Sequence, residues 1–176
     1  MIFTLLSLVA AAFLFFLAYA SVCGPQSFTA LPRHVWGGVA IGVPCLVWSA
    51  WHGCIMLEGG LAKFHVIVWL LVPTIAILSY FYLDYLFSRA LGGFFILAAN
   101  EMIRCAFAYA IPVRPLFSVV CLVLGVMGLF MLGTPWRMRD AILLAAKDKR
   151  YGRGFAAALI IMGIVLIGLS LPALWK

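Results

Sequence analysis

Acidic side chains are the scarcest class in this 176-residue chain: five Asp and Glu stand against 12 Lys and Arg, and charged residues of both signs make up only 10%. A soluble globular domain carries about 25% charged and about 45–50% apolar residues. At 67% hydrophobic residues, this chain is a membrane domain with little length left for a separate soluble one. Catalytic patterns are lacking as well. There is no G-x-S-x-G, no H-E-x-x-H, no P-loop, and no Asp pair spaced to hold Mg²⁺ on a phosphorylated lipid. Two of the five acids, Asp140 and Asp148, lie in a basic stretch, which leaves little for general acid–base work, and the expectation is a protein that is not an enzyme. Cys23, Cys45, Cys54, Cys105 and Cys121 are scattered, with no C-x-x-C, and their odd number argues against a disulfide framework. They read as free thiols within apolar runs.

What the chain has in abundance is long apolar runs, several near the roughly 20 residues that cross about 30 Å of hydrocarbon. The expected fold is all-α, a polytopic transmembrane helical bundle in a single domain, with spans at 2–22, 35–57, 64–87, 90–111, 116–133 and 155–174. Ala18-Tyr19-Ala20 resembles a signal-peptidase site, but no basic stretch precedes the first run, so it reads as an uncleaved helix. Pro44 and Pro73 are expected to bend the second and third spans. Glu58-Gly59-Gly60 reads as a turn, Pro112 and Pro115 close the fourth span, Tyr80, Tyr82 and Tyr85 form an interfacial belt, and Trp175 and Lys176 anchor the end. Gly38, Gly42, Gly92, Gly93, Gly125 and Gly128 are the small residues expected to let helices pack closely.

The net charge of +7 does not point to nucleic acid. Six of the 12 basic residues (Arg137, Arg139, Lys147, Lys149, Arg150 and Arg153) fall in one stretch, and basic residues collect on the cytoplasmic side of membrane proteins. In residues 136–151, Met138, Ala141, Ile142 and Ala145 recur at helical spacing with charges opposite. That pattern is an amphipathic helix lying in the interface, its basic residues against anionic lipid. Six spans put both termini on one side; a cytoplasmic 135–153 linker then places Arg33 and Arg89 with it and both termini opposite. Arg33…Gly37-Gly38, Arg89…Gly92-Gly93 and Arg150…Gly152…Gly154, at offsets of about 55 to 60 residues, suggest three parallel two-helix hairpins.

Polar residues inside the spans are the candidates for function, because ionic groups at bilayer depth must face protein or water. Asn100, Glu101 and Arg104 stand in the fourth span, with Glu101 and Arg104 at i,i+3 and Asn100 and Arg104 at i,i+4, so all three are expected on one face, extended by Gly93 and Ala108. His52 and His65 flank the second turn, where two rings from adjoining spans are candidate haem ligands. Trp48, Trp51 and His52 are candidates to line a quinone cavity, and His34 beside Arg33 reads as solvated. No metal site is expected, and no cofactor other than haem or quinone.

Gly128 to Gly168 carries Pro135-Trp136-Arg137, then Arg150-Tyr151-Gly152, then an apolar span with Gly163. This quarter of the chain resembles the small two-helix inner-membrane proteins of the YjeT type. The resemblance implies a bacterial inner-membrane location and no catalytic role. Three functions fit these residues: a non-catalytic subunit or scaffold of a larger membrane complex, partnered by lipids and other subunits; a small transporter or channel using Asn100, Glu101 and Arg104; and a quinone- or haem-handling electron-transfer subunit.

Overall fold

In hydrocarbon no water is present to satisfy backbone N–H and C=O groups, so an apolar chain of this kind must bond them internally. The computed structural model describes residues 2–22, 30–57, 62–108 and 114–170. Among these it has seven α-helices and no strand: α1 (Ile2–Val22), α2 (Val35–Met56), α3 (His65–Tyr82), α4 (Leu86–Ala108), α5 (Arg114–Gly133), α6 (Trp136–Lys147) and α7 (Lys149–Ser170), with 3₁₀ turns at Leu31–Arg33 and Ala62–Phe64. All but α6 are long and apolar enough to cross a membrane. The protein is an all-α, multi-pass membrane bundle. Cys23, the Glu58-Gly59-Gly60 turn, Pro112, Trp175 and Lys176 lie outside the described residues.

Local chemistry sets the boundaries. His34 is the N-cap of α2, its Nδ1 accepting the Gly37 N–H at 3.0 Å, a bond that satisfies one of the open donors of a first turn. Pro44 and Pro73 remain inside continuous helices. The third span stops at Tyr82, five residues before the expected end, because Leu83 turns extended and Tyr85 takes φ 59°. A left-handed backbone costs a non-glycine residue about 1–3 kcal/mol. The fourth helix consequently starts at Leu86 instead of residue 90. The basic linker is shorter than the pattern suggested: α6 ends at Lys147, and the Asp148 carboxylate accepts the Arg150 N–H at 2.8 Å, capping α7 from Lys149 onward.

α4 is the hub, with 56% of its apolar window buried, against 44% for α1 and none for α3. Its principal neighbours are α5, α2 and α1, while α1 pairs with α7 and α3 packs on α2. The first span does not pair closely with the second, nor the third with the fourth, as three two-helix hairpins would require. Partners are instead selected by where backbones can approach. A Cβ on Gly92 would lie 2.6 Å from the Gly128 carbonyl oxygen, and one on Gly128 at 2.6 Å from that of Gly92. Gly125 faces Ala99, with 3.4 Å to its Cβ, and on the other side Gly38 would strike Leu86 at 2.6 Å and Gly42 approaches Ala90 at 3.5 Å. Membrane helices associate through close van der Waals packing of this sort. Gly93 departs from the expectation: a Cβ there meets nothing within 4 Å, since adjacent helical residues point about 100° apart. Gly152, seated against Ala145 and the Ser21 carbonyl, and Gly163, against Phe15, are further packing positions.

The apolar side of α6 is buried by protein and not by lipid. Met138, Ile142 and Ala145 are buried, and the helix lies against α1, α5 and α7. The basic residues divide accordingly. Lys147, Lys149, Arg150 and Arg153 are exposed, and Arg137 lies over the Phe130 ring at 5.5 Å. Arg139, expected to meet lipid, is held by the protein, donating to Asp140 Oδ1 at 3.0 and 3.1 Å and to the Tyr85 hydroxyl at 3.1 Å. The same hydroxyl accepts from Arg33 at 2.9 Å, with that guanidinium 4.9 Å from the ring centroid. Arg33, Tyr85 and α6 therefore share one end of the bundle, as the placement of the basic residues anticipated.

The α4–α5 contact yields a first test. Gly128→Val forces atoms into a neighbouring backbone, and overpacking costs about 1–3 kcal/mol. It is expected to lower the unfolding temperature in detergent clearly, whereas Gly154→Ala, where a Cβ meets nothing within 4 Å, should stay within about 0.5 kcal/mol of the parent.

Candidate functional site

Glu101 lies about 22 Å beyond Leu86 in a helix about 34 Å long, hence towards the end of α4 remote from the basic end and not at mid-span. Its side of α4 faces α2, and it is 8% exposed. Arg104 grips it with two bonds, Nε to Oε2 at 3.1 Å and NH2 to Oε1 at 2.6 Å, the forked geometry that makes guanidinium–carboxylate pairs strong. The Cys105 thiol adds a long contact to Oε1 at 3.6 Å. Arg104 itself is 68% exposed on its side chain, so its charge reaches outward while the carboxylate stays inside.

The sequence pairing of Glu101 with Arg104 is present; the placement of Asn100 is not. Asn100 is exposed and takes no part in the bonds around the carboxylate. Ala108 is exposed too and does not extend a packed face. The partner that sequence reasoning missed is on α2. His52 Nε2 lies 3.9 Å from Glu101 Oε2 and accepts the Trp48 indole N–H at 2.8 Å. Trp48 and His52 are one helical turn apart, a spacing that allows such a bond, but nothing local says which helix they face. With Nε2 accepting, the proton of a neutral ring sits on Nδ1. The cluster thus joins α2 to α4 through the Trp48–His52 bond and the His52–Glu101 approach.

His65 takes no part in this. It begins α3, its Nε2 is buried without a hydrogen-bond partner, and no hydrogen bond or ring contact links it to His52 among the described residues. Trp51 is 60% exposed. Among the described residues no group of three His, Cys, Asp or Glu is placed to hold a metal. Cys45, Cys54, Cys105 and Cys121 are free thiols.

Next to the cluster lies a cavity of about 480 Å³ between α2, α3 and α4, within the range of about 300–1,000 Å³ typical of small-ligand sites. Ser49 on α2 and Leu97 on α4 line it, one helical turn before His52 and Glu101 respectively. At its other end it reaches Leu86 and Arg89. Gly93 also lines it, which explains the open space at that glycine. The cavity and the cluster occupy successive turns of one interhelical cleft, with the cluster closing the end remote from Arg89.

Removing one partner of the ion pair tests its weight. Arg104→Gln leaves a buried carboxylate short of donors and should destabilise the protein by about 1–3 kcal/mol, measured by unfolding in detergent. The double variant with Glu101→Gln should recover part of that loss, and strict additivity of the two single effects would show that the pair is uncoupled.

Compared with protein families, curated proteins and solved structures, the chain matches none.

Proposed function

We propose that the protein is a small membrane transporter whose substrate path is the cleft between α2, α3 and α4, gated at one end by Trp48, His52, Glu101 and Arg104. The observation that carries this reading is the continuity of that cleft: an apolar cavity of about 480 Å³ ends one turn from a polar cluster that links α2 to α4 through a 3.9 Å approach. Charged groups inside membrane proteins commonly mark such paths. Pro44 and Pro73 lie in two of the three helices that wall the cavity, and each removes a backbone hydrogen bond, which eases bending. Glu101 is the acid of this gate, and Asn100 lies outside it.

In this reading the end with Arg33, Arg89 and α6 is cytoplasmic, because Lys and Arg gather on that side, and the gate faces outward. The same reading assigns the protein to a bacterial inner membrane. A second reading, a subunit of a larger complex, is favoured by α3, none of whose apolar window is buried. A stoichiometric protein partner in native mass spectrometry would support that reading; a lone chain would count against it.

Transport is tested in vesicles. The reconstituted protein should speed transbilayer movement of a fluorescent single-chain lipid, read as loss of protection from an external quencher, and Glu101→Gln should change the rate. Equal rates in protein-containing and empty vesicles contradict the reading, and an unchanged rate in Glu101→Gln removes Glu101 from the gate.

A further inference from the structure

Among the described residues Arg89 is the only charged one lining the 480 Å³ cavity, whose remaining wall is apolar apart from Ser49, Ser79 and Cys45. Its Nε is buried and has no hydrogen-bond partner. A buried donor left unpaired is costly and asks for an explanation. Asp84, the nearest acid in sequence, makes no ion pair with it among the described residues. Two other arginines of this end, Arg33 and Arg139, are engaged with the Tyr85 hydroxyl. The cavity is thus a long apolar space with one cationic donor at its basic end. Val43, Leu83 and Leu132 at its rim are exposed at 37%, 37% and 43%, so it opens sideways to the hydrocarbon.

We infer that this cleft binds a lipid with a single anionic head, its chain in the apolar cavity and its phosphate or carboxylate on the Arg89 guanidinium. A guanidinium matches the geometry of either oxyanion, and lateral entry selects a molecule already dissolved in the bilayer. The open space at Gly93 is where the chain passes α4. The inference deepens the transporter reading and rests on the same cleft, but it concerns equilibrium occupancy, which needs no translocation. Binding without flux would leave the inference standing and defeat the transporter.

The test uses the full chain in an uncharged sugar detergent, with native mass spectrometry counting bound dodecyl phosphate, dodecyltrimethylammonium and inorganic phosphate in separate titrations. Dodecyl phosphate should saturate at one per chain and bind more tightly than either other probe. Arg89→Gln should weaken it at least about tenfold, the loss expected when a charge-assisted bond disappears, Arg89→Lys should recover part, and Gly93→Leu, whose Cβ enters open space at the cavity wall, should abolish it. Equal affinity for the cationic amphiphile, or inorganic phosphate binding as tightly as dodecyl phosphate, would overturn the inference. If Arg89→Gln fails to fold, Gly93→Leu decides alone: unchanged affinity there places the lipid elsewhere.

Discussion

The structure depends on one backbone contact, where α4 and α5 approach so closely at Gly92 and Gly128 that each would place a Cβ 2.6 Å from the other's carbonyl oxygen. Between helices in lipid there is little hydrophobic drive, so van der Waals contact at short range has to hold the pair together. That contact fixes the rotation of α4 about its axis. With the Gly92–Ala99 side turned to α5, the side bearing Ala90, Gly93, Leu97 and Glu101 is left for α2 and for the cleft. The buried acid, the cavity and the unpaired Arg89 nitrogen are all consequences of which way one helix is turned.

The second constraint sits at the basic end. Tyr85 takes a backbone conformation unfavourable for a side chain of its size and places its hydroxyl where Arg33 and Arg139 both donate to it. Strain of this kind persists only where the surroundings hold it. The turn between α3 and α4 is thereby tied to the start of α2 and to α6, and the basic residues that a topological argument assigns wholesale to lipid divide into those that bind protein and those that stay exposed.

Much of this was legible in the chain. Apolar run length locates six spans, because a bilayer demands that length, and the i,i+3 spacing of Glu101 and Arg104 identifies a pair whose partners are on the same helix. What failed did so where the answer depends on helix rotation or on partners distant in sequence. Gly92 and Gly93 are indistinguishable as letters, yet one touches α5 and the other opens onto the cavity. Asn100 satisfies the same spacing rule as Glu101, but Arg104 turns to Glu101 and leaves it exposed. His52 meets a residue 49 positions away in sequence. The break at Leu83–Tyr85 carries no glycine or proline, so nothing local announces it, and Arg89 looks like an ordinary boundary arginine until the cavity beside it is seen.

The rotation of α4 is therefore the claim on which the account stands, and it can be measured in native membranes. Ala99 Cβ lies 3.4 Å from the position of a Cβ on Gly125, close to the separation of about 3.5–4.5 Å that a disulfide spans. With the native cysteines replaced, Ala99→Cys combined with Gly125→Cys should close a disulfide on mild oxidation, read by intact-protein mass spectrometry as the loss of both reactive thiols. If both thiols remain open to labelling under conditions that oxidise other membrane cysteines, α4 does not present this face to α5, and the cleft described here is not the one the protein has.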